Sequence, residues 1–133
     1  MKAFEVRTTR RTEFVEITAE VKKVLKEAGL KTGVCVVYCP HTTAAITIQE
    51  NADPDVVRDM LLWLNEHIPK EVPGFRHSEG NSDSHIKSSL VGSSATVIVE
   101  NGEVVLGTWQ GIYFCEFDGP RTRTVMVQTI GNT

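Results

Sequence analysis

Four short stretches hold nearly all the side chains of this sequence that could do chemistry. Residues 77–85 read HSEGNSDSH, with two of the chain's four histidines at the ends of a segment that has no apolar side chain. Imidazole is the commonest protein ligand for zinc and similar ions, and carboxylates often complete such sites. The offset between His77 and His85 matches no zinc-finger or H-E-x-x-H spacing, and on spacing alone a solvated loop is the better explanation. The context favours a site: Gly80 and Asn81 permit a bend that brings the rings together, with Glu79 and Asp83 between them as ligands, partners of ligands or a general base. The second stretch is HTTAAITIQ, 41–49. Taken as a strand, it puts His41, Thr43, Ala45, Thr47 and Gln49 on one face, and Thr42, Ala44, Ile46 and Ile48 on the other. The second face is core; the first suits a cavity wall or a solvated surface equally well.

GTWQG (107–111) offers an indole beside an amide, Trp109 and Gln110, between glycines. Core packing accounts for Trp109, and presentation to a planar ligand is the alternative. FDGPRTR (117–123) turns through Asp-Gly-Pro, and in an extended chain Arg121 and Arg123 project from one face. Paired guanidiniums suit phosphate or carboxylate, although charged edge strands are common for other reasons. Lys87 could add to an anion site, and Glu116 and Asp118 share a strand face from which they could balance the arginines or reach a metal. His67 ends a predicted helix, where imidazole meets the helix dipole favourably, and is read as structural. No P-loop, nucleophile elbow or G-x-G-x-x-G occurs.

These residues must be carried by ordinary elements. FEVRT (4–8) and EFVEI (13–17) alternate as half-buried strands joined by a basic turn. Thr18 can cap a helix with Val21, Val24, Leu25 and Ala28 at helical spacing and Gly29 as its stop. VCVVYC (34–39) reads as a central strand. Asp53-Pro54 opens a helix whose buried stripe is Val56, Val57, Met60, Leu61 and Leu64. Ser82 or Asp83 begins a short helix through 85–90 that stops near Gly92. SATVIVE (94–100) turns at Asn101-Gly102 into EVVLG (103–107), and 110–118 with 122–130 form a second hairpin through GPR. The expected fold is α+β: one compact domain, a mixed, largely antiparallel sheet of about seven strands, and two main helices.

Composition narrows the function classes. A chain of 133 residues is one domain, able to bury roughly 68% of its unfolded surface. A net charge of −3 argues against nucleic-acid and membrane-surface binding. The charge is uneven: residues 1–31 hold eight Lys/Arg against five Asp/Glu, and residues 50–83 hold eight Asp/Glu against three Lys/Arg. The middle of the chain therefore tolerates a cation better than an anion. Cys35, Cys39 and Cys115 form no paired framework, and with no apolar leader or spanning segment the expected location is the cytoplasm.

PHTTAAITIQENADPDV (40–56), HSEGNSDSHIKSSLVG (77–92) and GTWQGIYFCEFDGPRTR (107–123), in that order, resemble the YjbQ family, often described as secondary thiamine-phosphate synthases. The resemblance covers essentially the whole chain. It implies a mixed-sheet α+β domain, a homotrimer, and a divalent metal, zinc first and magnesium second, held by His41, His77 and His85. Three histidines with an open position would make that zinc catalytic. Glu50, Asn51, Trp109, Gln110 and Glu116 would line the cleft, completed within or between subunits, with Arg121 and Arg123 at its anionic end. The implied activity is a metal-dependent reaction on a small phosphorylated substrate, with thiamine-phosphate synthesis as the named case and Glu79, Asp83 or Glu116 as the base. A metal-dependent hydrolase of a phosphorylated or cyclic molecule is the alternative. A non-catalytic metal- or ligand-binding trimer is the alternative outside enzymology.

Overall fold

The computed structural model describes residues 1–133. In chain order it comprises β1 (Lys2–Arg7), β2 (Glu13–Glu16), α1 (Thr18–Ala28), β3 (Thr32–Tyr38), β4 (Ala44–Glu50), α2 (Pro54–His67), α3 (Ser82–Val91), β5 (Ser94–Glu100), β6 (Glu103–Val104), β7 (Gln110–Glu116) and β8 (Thr122–Asn132). They build a five-stranded sheet in the order β1-β8-β3-β5-β6 and a three-stranded sheet in the order β2-β7-β4. The α+β class is as expected, but every pairing is antiparallel, so the sheet is not mixed. No helix is long and apolar enough to cross a membrane.

The local signals behave as their chemistry requires. Asp53 caps α2 by accepting from the Asp55 N–H, with Pro54 in the first turn. Gly29 ends α1 in the left-handed conformation, its N–H bonded to Leu25 and Lys26 carbonyls. Asn101 and Gly102 both take positive φ, and β5 and β6 pair across them. Thr18 is not a cap. Its hydroxyl accepts from the Ile112 N–H and donates to Glu16, tying the start of α1 to β7.

The second expected hairpin does not form. Residues 110–118 and 122–130 are not a hairpin, because β7 lies between β2 and β4 while β8 lies between β1 and β3 in the other sheet. The segment 117–121 is a corner that carries the chain from one sheet to the other. Beside it runs 8–12, the corner between β1 and β2, and the two are zipped together. The Thr8 N–H donates to the Arg121 carbonyl at 3.0 Å, and the Gly119 N–H donates to the Arg11 carbonyl at 2.9 Å. A Cβ on Gly119 would lie 2.4 Å from the Arg10 carbonyl oxygen, so this crossing needs glycine.

Three layers result. The inner faces of both sheets and the apolar stripe of α1 enclose the main core, including Val21, Leu25, Cys35, Val37, Ile46, Val97, Phe114 and Val127. Each such fully buried side chain stabilises the fold by about 1.5–3 kcal/mol over exposure. A smaller cluster, Ala45, Tyr113, Cys115 and Phe117, covers the back of the three-stranded sheet. Val57, Leu61 and Leu64 of α2 and Val91 of α3 pack on it. Both faces of β4 are therefore covered, and the small side chain of Ala45 lets the helices approach rather than opening a cavity. As an outer layer, α2 has no fully buried residue.

Candidate functional site

At the end of the molecule where the two corners cross, three loops and one helix converge. The β3–β4 connection supplies Pro40 to Thr43. The segment before α3 supplies His77, Glu79 and Asn81, α3 supplies His85, and the 117–121 corner with the start of β8 supplies Asp118, Arg121 and Arg123. Together they line a cleft of about 430 Å³, and none of the eleven lining residues is hydrophobic. Gly80, with φ of 70°, makes the bend that the sequence suggested. It leaves His77 and His85 edge to face, ring centroids 5.5 Å apart. Glu79 Oε2 lies 3.8 Å from His77 Nε2.

Arg123 forms the floor. Its Nε and Nη2 hold both oxygens of Glu116 in a buried two-point pair, and Nη2 also donates to the Thr43 hydroxyl at 2.9 Å. Glu116 is 0% exposed and Arg123 3%. Because Glu116 lies in one sheet and Arg123 in the other, this pair bolts the sheets together at the cleft. Nη1 of Arg123 makes no hydrogen bond within the chain, leaving one guanidinium corner for the cleft. Burial pushes the Glu116 carboxyl up. Hydrogen bonds from Arg123, the Asp118 N–H and Thr8 outweigh that and hold it below the usual carboxylate range. Glu116 is therefore an ionised structural partner that does not line the cleft, not a free base.

Asp83 is likewise consumed. Arg11 grips it with two hydrogen bonds, and Lys87, one turn further along α3, donates to it at 2.9 Å and to Asn65 Oδ1 at 2.9 Å. Burial raises this carboxyl, but its two cationic partners hold it below its ordinary value. Lys87 and Asp83 are both buried behind the helix, facing α2 and the first corner rather than the cleft. They fix the face of α3 that presents His85.

His41 lies before the first residue of β4, outside the alternation expected for a strand beginning at 41. Its Nε2 accepts the backbone N–H of Thr124 at 2.9 Å, and its ring meets Phe114 edge-on at 6.5 Å. Burial, then the charge of Arg123, holds its pKa below the ordinary value. An imidazole that accepts at Nε2 bears its proton on Nδ1 and has no lone pair left for a metal. The three-histidine zinc centre therefore does not fit these side chains, and no group of three or more His, Cys, Asp or Glu side chains converges to hold an ion. His67 stacks on Trp63 and bonds its carbonyl at the end of α2, as a structural residue does.

The remaining motif residues lie elsewhere. Glu50 pairs with Gln110 at the far end of β4 and β7, six residues from Ala44 and Glu116, or about 20 Å away at the rise of a strand. Asn51 and Gln110 line a second depression, and Glu50 and Trp109 a third. Trp109 is 64% exposed, not core. Its carbonyl accepts from the Asn51 N–H at 2.7 Å, so GTWQG latches the start of the loop before α2. Sequence reasoning missed Asn81, which is 7% exposed. Its Nδ2 donates to Asp118 at 2.7 Å, while its Oδ1 is the one buried side-chain polar atom with no partner. Nothing in its local pattern distinguishes it from a loop asparagine.

Residues 2–132 match the family described as UPF0047 protein YjbQ-like. The chain belongs to the YjbQ family. It is 56% identical over 131 residues to the UPF0047 protein YugU of Bacillus subtilis, covering 98% of this chain and 99% of that one. It is 52% identical over 129 residues to a UPF0047 protein of Methanocaldococcus jannaschii, covering 97% and 93%. Among solved structures, an uncharacterised YjbQ/UPF0047-family protein of Clostridium acetobutylicum superposes with a TM-score of 0.95 at 55% identity, covering 98% of this chain and 100% of that one. A YbjQ-like protein of unknown function from Sulfolobus solfataricus gives 0.93 at 30%, covering 98% and 96%. The YjbQ fold thus persists at modest identity.

Proposed function

We propose that this YjbQ-family chain is an enzyme acting on a small phosphorylated molecule bound in the polar cleft. The observation that carries the proposal is the convergence of unspent donors there: Arg123 Nη1, the half-exposed Arg121 and His41. Guanidinium groups complement phosphate in charge and geometry. Across the cleft, His77 and His85 are placed to give and take a proton, with the Glu79 carboxylate 3.8 Å from His77 Nε2. The charge neutralisation and proton transfers are assigned to these side chains alone.

Thiamine-phosphate synthesis, named by the resemblance, joins a pyrimidine pyrophosphate to a thiazole phosphate and releases pyrophosphate. Such a reaction normally uses carboxylates to hold a metal–pyrophosphate clamp. Here Asp118 is tied to Asn81 and Arg121, leaving Glu79 as the one carboxylate in the cleft without a cationic Lys or Arg partner. That favours hydrolysis of a phosphorylated or cyclic small molecule as the second reading. The assembly belongs to the proposal as well. The outer face of the five-stranded sheet carries Tyr38, Ile98 and Ile130 exposed, a surface suited to the homotrimer.

The test is to incubate the purified protein with the pyrimidine and thiazole pair and with a panel of phosphate esters. Turnover of at least one substrate is expected, lost in His85→Gln while the fold is retained. Tight binding of a phosphorylated compound with no product from any of them would reassign the chain as a ligand-binding protein.

A further inference from the structure

The tautomer of His41 has a consequence for what the cleft can hold. Its Nε2 faces the backbone of β8 and accepts from Thr124, a contact open only to an unprotonated nitrogen. Nδ1 therefore carries the proton, and no atom of the chain accepts from it. Protonating the ring would turn the Thr124 contact into two opposed donors, and Arg123 already disfavours a second positive charge. The ring is fixed by the backbone on one side and by Phe114 edge-on.

We propose that His41 is a neutral hydrogen-bond donor, giving its Nδ1–H to an anionic oxygen of the bound substrate, and that the Thr124 N–H sets this role. The donor role rests on the phosphorylated-substrate function proposed above; the tautomer does not. With Arg121 and Arg123 Nη1, His41 completes a wall of donors that accommodates a phosphoryl group, and His41 itself offers no lone pair to a metal cation.

The test uses full-length protein with ¹⁵N-labelled histidine, observed by long-range ¹H–¹⁵N correlation at neutral pH, with signals assigned through His41→Asn. The expected result is a protonated Nδ1 and an unprotonated Nε2 at His41. Inorganic pyrophosphate should move the Nδ1–H signal, and added zinc should move His77 and His85 but leave His41 in place. His41→Asn, which keeps a donor near the Nδ1 position, should bind pyrophosphate within about threefold of wild type, whereas His41→Ala should lose about tenfold. A protonated Nε2, or a zinc-induced shift at His41, would overturn the inference. A protonated Nδ1 in a protein that binds no pyrophosphate would uphold the tautomer and overturn the donor role together with the substrate proposal.

Discussion

Two groups of charged side chains lie within one α-helix and one corner of each other, and they behave oppositely. Behind the cleft, Glu116–Arg123 and Asp83–Lys87 are buried, and with the partly exposed Arg11 that grips Asp83 they are bonded on most of their polar atoms. In front, Arg121, His77, His85 and Glu79 are partly exposed and retain unused donors and acceptors. Burial with full pairing makes a scaffold, and exposure with incomplete pairing makes a site. Arg123 belongs to both, with two nitrogens committed to Glu116 and one left over. The two groups are consecutive layers of one device, the inner holding corner and helix so that the outer keeps its geometry.

The contrast is broken most severely at Glu116. Glu116→Ala leaves Arg123 buried without a counter-ion and should cost about 3–5 kcal/mol, read from the urea midpoint. A cost under about 1 kcal/mol would show that the pair is not the bolt between the sheets. Next comes acid. Glu116 and Asp83 both have depressed folded pKa values, so their contribution is fully present above their ordinary values of 4.5 and 3.8 and is lost as pH falls through the folded ones. Thermal melts should therefore hold steady from neutral pH to about 5 and fall steeply below about 4. Asp83→Asn together with Lys87→Met should flatten that fall. The smallest expected effects on stability are in the outer layer: His85→Gln and Trp109→Ala should each change it by less than about 0.5 kcal/mol. His85→Gln should abolish turnover, whereas Trp109→Ala should leave pyrophosphate binding to the single chain unchanged.

Legibility in the sequence followed the range of the interactions. Local chemistry was readable: the Asp53-Pro54 start, the Asn101-Gly102 turn, the Gly80 bend and the helix stopping at Gly92. Those signals were enough to bring His77 and His85 together. What could not be read was pairing between distant segments. Residues 110–118 and 122–130 alternate like a hairpin, and only the competing partners of β7 and β8 place them in different sheets. That misplacement concealed the Glu116–Arg123 bolt, and with it the reason Glu116 cannot be a base. Asp83 looked like a ligand because its partner Arg11 lies 72 residues away. Glu50, Asn51, Trp109 and Gln110 looked like lining because they share motifs with cleft residues, although β4 and β7 carry them to the opposite end.

The claim most in need of a direct test is that the anion site lies at the corner end and not at the Trp109 end. A pyrophosphate titration of ¹⁵N-labelled protein, mapped on the backbone amides, decides it. Shifts concentrated at residues 41–43, 77–85 and 118–124, with residues 50–53 and 107–111 unmoved, are the predicted result. Shifts centred on Glu50, Asn51, Trp109 and Gln110, or none at millimolar pyrophosphate, would contradict the account.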